Sequence, residues 1–310
     1  MKQGGIPVDR APASADPHQA KAQILNYCRR KGALVVGVAN LDTLQRIAPP
    51  GHRPRDLMPR VGSVISLGVG GQTRGAWSVP AKALSFFGST EGSAYKIAFG
   101  CAFFIESQFG RPSIYCPPDI DPEGGTRIPF QSMKLHAEVA GLGARSLAGD
   151  ILLHPQYGYL YYASVFTELE LPPDEPLDAN PCPSSSCVEL YRKTSQTPCM
   201  KFCPAQCLSG SIDIDGRQEV MCYEMAKCAE MTEQYEALPA MLADAMDAAD
   251  SASRERALFD PDNSVYWYKM SVGSGGLLGQ CFECMRVCPV ATKAPLADPI
   301  CRGPRVKEVR

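Results

Sequence analysis

Two stretches of this chain end alike: "CMKFCP" supplies Cys199, Cys203 and Pro204, and "CFECMRVCP" supplies Cys281, Cys284, Cys288 and Pro289. Thiols at such short intervals must curl the backbone around something or be held apart by it. Of 14 cysteines, only Cys28, Cys101 and Cys116 precede residue 180, so the thiols are concentrated in the second half. No segment reaches the roughly 18 to 20 apolar residues of a membrane span, and the N-terminus has no apolar leader core. A cytoplasmic location is therefore expected, where thiols stay reduced and crowded cysteines point to metal rather than disulfides.

The C-x3-C-P ending, present twice, is the tail of the bacterial ferredoxin pattern. There, three close cysteines hold one 4Fe-4S cluster and the fourth, before proline, reaches across to another. Crossing the ligands in this way groups Cys182, Cys187, Cys199 and Cys288 around a first cluster. Cys203, Cys281 and Cys284 belong to a second, completed by Cys222 with Cys207 and Cys228 as rivals. Cys207 follows the C-P turn where a small residue is usual, and Cys228 falls within a predicted helix. Zinc also favours C-x2-C but needs a single compact tetrahedron, whereas two C-P endings with at least eight cysteines available fit two cubanes. Cys28, Cys101, Cys116 and Cys301 read as core thiols.

The charge balance excludes a broad nucleic-acid or anionic-lipid surface. Lys and Arg total 31 against 33 Asp and Glu, a net charge of -2. No nucleic acid and no membrane are expected as partners. An apolar content of 45% is that of a folded protein with a real core.

A proline-rich, acidic stretch, "LELPPDEPLDANPCP" at 169–183, reads as an exposed linker dividing residues 1–175 from 176–310. Before it the signals are mixed α+β. Asp16 and Pro17 cap a helix that stops at Gly32, and "ALVVGVAN" and "VGSVISLGV" are buried strands. "SAYKIAFGCAFFIESQF" is a helix ending at Gly110, followed by a strand "RPSIYC". "QSMKLHAEVAGLG" is a further helix, and two strands flank a turn at Gly158. After the linker come short segments between cysteines, a helical insert beginning at Cys222, and a glycine-rich approach to Cys281. "GSGGLLG" at 273–279 lacks the Lys and Ser/Thr of a phosphate loop.

These cysteines, with "PPGHRPRDLMPRVGSVISLGV", "KLHAEVAGLG" and "DILLHPQYGYLYYASVFTEL", resemble the epoxyqueuosine reductase and reductive dehalogenase family across most of residues 20–290. The resemblance implies a nitroreductase-like α+β domain followed by a bacterial-ferredoxin-like dicluster domain. It implies an oxidoreductase passing electrons through two 4Fe-4S clusters to cobalamin, which reduces a small organic substrate. A low-potential donor such as ferredoxin or flavodoxin would supply the electrons. Flavin is the substitute if the pocket holds another cofactor. His136, Gly141, Leu142, Gly143, Tyr157 and Gly158 are the residues expected against that cofactor.

Two positions depart from the pattern. The family's proton-donating Asp stands about fourteen residues before the AGLG glycine, where this chain has Arg127, so epoxyqueuosine reduction is not expected. The run after AGLG is "ARSLAGD" in place of a W-x-G-K-like sequence. An electron-transfer or reductive-activation protein without its own corrinoid is the alternative.

Overall fold

The computed structural model describes residues 16–72, 75–78, 91–116, 130–149, 151–233, 245–248, 250–259 and 281–292. Arg127, the run at 273–279 and Cys301 lie outside these residues. In chain order the elements begin with α1 (Pro17–Arg30), β1 (Val35–Ala39), α2 (Leu41–Ile47), α3 (Pro54–Leu57), β2 (Ser63–Gly70), α4 (Glu91–Phe109) and β3 (Ser113–Cys116). They continue with α5 (Met133–Val139), β4 (Ala144–Arg145), β5 (Leu152–His154), β6 (Gly158–Thr167), α6 (Ser185–Thr194) and α7 (Pro198–Lys201). The last are β7 (Leu208–Ile212), β8 (Gln218–Tyr223), α8 (Met225–Glu233), α9 (Ser251–Phe259) and α10 (Glu283–Arg286). Among the described residues no helix is long and apolar enough to cross a membrane.

The chain divides into two compact units. The first comprises Met1–Gly68, Ala94–Leu142 and Tyr162–Pro176; the second comprises Val69–Ser93, Gly143–Tyr161 and Leu177–Arg310. Two stretches that precede the proline-rich segment therefore belong with the cysteine-rich part.

In the first unit α1 opens on Asp16, whose side chain accepts from the His18 amide at 3.2 Å, with Pro17 in the first turn. Ala20, Ile24 and Cys28 recur every four residues and are buried along one face. The helix gives way at Gly32, whose φ of 108° suits a residue without Cβ. β1 and β2 pair antiparallel, Val36 opposite Leu67 and Val38 opposite Ile65. β6 lies next to β2, and β3 pairs antiparallel with β6. β1 and β6 are buried at every position, β1 as an unbroken apolar run and β6 with Ser164 and Thr167 among its buried residues. Each fully buried Ile, Leu or Phe, such as Ile65, Leu67 and Phe166, contributes roughly 1.5–3 kcal/mol.

The proline-rich stretch is not solvated throughout. Leu171 is buried and its amide donates to Ser63 Oγ at 2.8 Å. Asp174 accepts from the Val38 amide at 2.8 Å and from Lys21 Nζ at 2.6 Å. The segment is thereby fastened along β1.

In the second unit β4, β5 and the start of β6 pair antiparallel, and β7 and β8 form a separate hairpin. This hairpin, together with α2 and α3, goes beyond the sequence-based expectations. Its turn contains Asp215 and Gly216, and the 83° φ at Gly216 meets the demand of such a turn. Leu147, Ala148, Cys199, Met200, Cys203, Cys207 and Leu208 make the buried core around which the remaining cysteines gather.

Candidate functional site

The second unit holds two cavities lined by thiols. One is bounded by Cys182, Cys187, Cys199 and Cys288 together with Leu147 and Ala148. Each sulfur is positioned by a different local device. Asn180 accepts from the Cys182 amide at 2.9 Å and donates to the Arg145 carbonyl at 2.7 Å, which holds the approach to Cys182 in place. Cys187 sits in the first turn of α6, where unpaired amides favour negative charge, and Ser184 Oγ donates to its sulfur at 3.2 Å. Cys199 is in the first turn of α7 and contacts Thr197 Oγ1 at 3.1 Å. Cys288 ends the last cysteine run and accepts from the Ala291 amide at 3.4 Å.

Backbone amides thus already point at sulfur, among them that of Ala291 at Cys288 and that of Leu147 at Cys182, 3.3 Å away. Burial pushes three of these thiols up. Cys182 and Cys199 stand above the ordinary range, and Cys288 is pushed up to about 12 although amides of Ala291 and Val290 pull the other way. Sulfurs in such a place become thiolates when a strongly cationic partner binds them.

The other cavity is bounded by Cys203, Cys207, Cys228, Cys281 and Cys284, with Ala148, Ile151 and Tyr223 among its apolar walls. Ala148 belongs to the walls of both. Cys203 and Cys207 are joined by a short turn in which Gln206 takes a φ of 49°, and their sulfurs lie 3.4 Å apart. Cys228 is carried inward by α8, whose start is held by the Glu224 amide donating to the Cys207 carbonyl at 2.9 Å. Cys284 comes from α10, and burial raises it well above the ordinary thiol range. Cys281 is raised by burial as well, and Cys207 is pushed up to about 12 by burial and by Cys203.

Cys222, expected in this second set, lies elsewhere. It is exposed on β8, where Met221 and Tyr223 on either side turn toward the apolar core. The reason is the period of two along a strand: once Met221 and Tyr223 face inward, Cys222 faces out. Cys228 falls in a helix, and the helix is what delivers it to the cavity. The Asp-Gly turn of the β7–β8 hairpin is the signal that locates the strand on which Cys222 faces outward.

Neither cavity is lined by a carboxylate or imidazole among the described residues. Nor do three or more His, Cys, Asp or Glu side chains among them converge closely enough to grip a single metal ion. The sulfurs surround voids.

Of the six residues expected against a corrinoid, His136, Gly141 and Leu142 belong to the first unit. His136 is 1% exposed, its Nδ1 3.1 Å from Ser164 Oγ and its ring edge-on to Phe166. That is the setting of a packed core histidine, and burial lowers it to about 3. A side chain at Gly141 would strike the Glu175 carbonyl, so its open face is filled by protein. Leu142 is buried, and its carbonyl accepts from the Tyr162 hydroxyl at 3.0 Å. Gly143, Tyr157 and Gly158 belong to the second unit. Gly143 directly precedes β4. The ring of Tyr157 lies 5.0 Å from that of His154, and a Cβ on Gly158 would stand 2.5 Å from the Val290 carbonyl oxygen. Gly158 leaves room for the backbone that follows Cys288.

No protein-family model matches the sequence, and a search of curated proteins finds no match. Solved structures do match. Epoxyqueuosine reductase from Bacillus subtilis superposes with a TM-score of 0.50 at 16% identity, over 88% of this chain and 65% of that one. A selenomethionine-labelled epoxyqueuosine reductase gives 0.50 at 17% identity, over 88% and 66%. The catabolic reductive dehalogenase NpRdhA gives 0.50 at 15% identity, over 88% and 39%. An epoxyqueuosine reductase held with a tRNA-Tyr stem loop gives 0.48 at 17% identity, over 88% and 65%. The chain spans just under two thirds of the length of these reductases and about two fifths of the dehalogenase. Its fold is the one that epoxyqueuosine reductases and reductive dehalogenases share.

Proposed function

We propose that this chain is an iron-sulfur oxidoreductase in which Cys182, Cys187, Cys199 and Cys288 hold one 4Fe-4S cluster and Cys203, Cys228, Cys281 and Cys284 hold the other. The observation that carries this reading is the exchange between the two cysteine runs. Cys288 shares a cavity with Cys182, Cys187 and Cys199, while Cys203 shares one with Cys281 and Cys284. An all-sulfur donor set selects soft metals and iron-sulfur clusters, and sulfurs spread around a void suit a polynuclear centre better than a lone ion. Such clusters, when bound, take up and release single electrons.

The chain's own part is to desolvate and position. Leu147 and Ala291 direct amides at sulfur, an arrangement that stabilises negative charge there and tunes potential. Leu147, Ala148 and Ile151 exclude water from the walls. Because Ala148 lines both cavities, one small side chain stands between them, which favours electron passage from one to the other.

The fold shared with two kinds of reductase supports a reductive role, with a small organic substrate as the terminal acceptor and a low-potential ferredoxin or flavodoxin as donor. Among the residues expected to contact cobalamin, His136 and Leu142 are packed in the core, and the space beside Gly141 and Gly158 is filled by backbone. We therefore derive no step through a corrinoid or a flavin from them. This observation favours a second reading, in which the clusters deliver electrons to a partner protein.

Anaerobic isolation followed by iron, sulfide and cobalt analysis is the test. About eight irons per chain supports the two-cluster reading, and a colourless zinc protein ends it. Cobalt in the isolated protein, or uptake of added cobalamin, decides for a corrinoid acceptor; iron without either decides for the partner.

A further inference from the structure

The second cavity contains one thiol too many for a cubane. Cys203, Cys207, Cys228, Cys281 and Cys284 all face it, and a 4Fe-4S cluster takes four. The geometry says which two compete. Each iron corner carries one thiolate, and the cube holds thiolates on different corners apart by its own width. Cys203 and Cys207 sulfurs are only 3.4 Å apart, in contact, and cannot serve two corners as they stand. Cys228, Cys281 and Cys284 supply the other three.

Resting on the two-cluster reading above, we infer that Cys203 and Cys207 share a single iron corner of the second cluster, with Cys207 standing as a built-in replacement ligand. Both are buried, and the turn between them is short and held by the Gln206 amide donating to the Cys203 carbonyl at 3.1 Å. The Cys207 carbonyl is fixed in turn by Glu224 at the head of the helix bearing Cys228. The spare sulfur is therefore built into the same framework as the ligands.

The exchange is a ligand substitution without net electron transfer. An Fe–S bond to Cys207 forms as the bond to Cys203 breaks, and the proton leaving the Cys207 thiol passes to the departing Cys203 thiolate. Its use is retention: when the Fe–S bond to Cys203 breaks, a second thiol stands in contact range before the cube loses that iron.

The test compares iron and sulfide content and low-temperature electron paramagnetic resonance of anaerobically isolated wild type, Cys203→Ala, Cys207→Ala and the double variant. Wild type with about eight irons establishes the parent reading; without clusters in wild type, that reading fails and this inference fails with it. Given them, both single variants are expected to keep about eight irons, with a shifted signal from the second cluster in Cys203→Ala only. The double variant is expected to fall by about half or to show a three-iron signal. The four irons of the first cluster report that it is folded. Loss of the second cluster in Cys203→Ala alone overturns the shared corner, as does its loss in Cys207→Ala alone. So does its full retention in the double variant.

Discussion

The amide of Tyr159 donates to the carbonyl of Ala291 at 3.2 Å, tying the start of β6 to the residues just past Cys288. Gly158, one residue earlier, has a φ of 70°, and a Cβ there would lie 2.6 Å from the same carbonyl oxygen. Gly158→Ala is thus expected to destabilise by about 2–4 kcal/mol, from strain at positive φ plus the forced displacement of this chain. The displacement carries Cys288 with it. Thermal unfolding and iron content should fall together, and a variant as stable as wild type with full iron content refutes the close approach.

Cys222 and Cys228 make a paired test. Cys228→Ala is expected to cut iron by about half, and Cys222→Ala to leave it unchanged. In the intact protein Cys222 should be alkylated by iodoacetamide ahead of the cavity cysteines, because it is the exposed one. Peptide mapping after a short exposure reads this directly. The reverse pattern of iron loss returns the ligand role to Cys222.

His136 predicts acid sensitivity. Buried, it is lowered to about 3, below the ordinary value near 6.5 that it regains on unfolding. Between those values the unfolded chain binds a proton that the folded chain refuses, so stability is full above about pH 6.5 and falls as pH drops toward 3. Urea midpoints of wild type and His136→Gln, measured from pH 7 to pH 4, should converge as pH falls. The variant starts lower because it disturbs the contact with Ser164. Parallel profiles would remove His136 as the cause.

Asp174 predicts a contrast between two substitutions. Its carboxylate accepts from the Val38 amide at 2.8 Å and from Lys21, with its side chain 38% exposed. The ion pair with Lys21 is therefore screened and adds little, whereas the lost backbone partner costs about 1–3 kcal/mol. Asp174→Ala should be destabilising by that amount in urea unfolding, and Asp174→Asn, which keeps an acceptor, by less than half of it. Equal losses would shift the weight to the charge.

Local signals were legible where one residue type has one physical use. Asp16 followed by Pro17, and the glycines at 32 and 110, marked helix ends because caps and positive φ leave few alternatives. The grouping of Cys288 with Cys182, Cys187 and Cys199 followed from a repeated spacing. What escaped was facing. Nothing in the spacing of Cys222 and Cys228 says which thiol points inward; that depends on a strand of period two followed by a helix, and on the Asp215-Gly216 turn that starts the strand. Gly158 was legible as a turn, but the reason for its being glycine, the backbone of Val290 and Ala291 from far along the chain, was not. His136 likewise reads the same in sequence whether packed or free; Ser164 and Phe166, distant along the chain, enclose it.

The membership of Leu147, Ala148 and Ile151 in the cysteine-bearing unit has a practical corollary. A polypeptide begun at Leu177 would retain every thiol proposed as a ligand yet lack the wall against which both cubes would rest. The cysteine-rich half is no transferable cassette, and grafting it onto another protein would require the hairpin around β4 and β5 to travel with it.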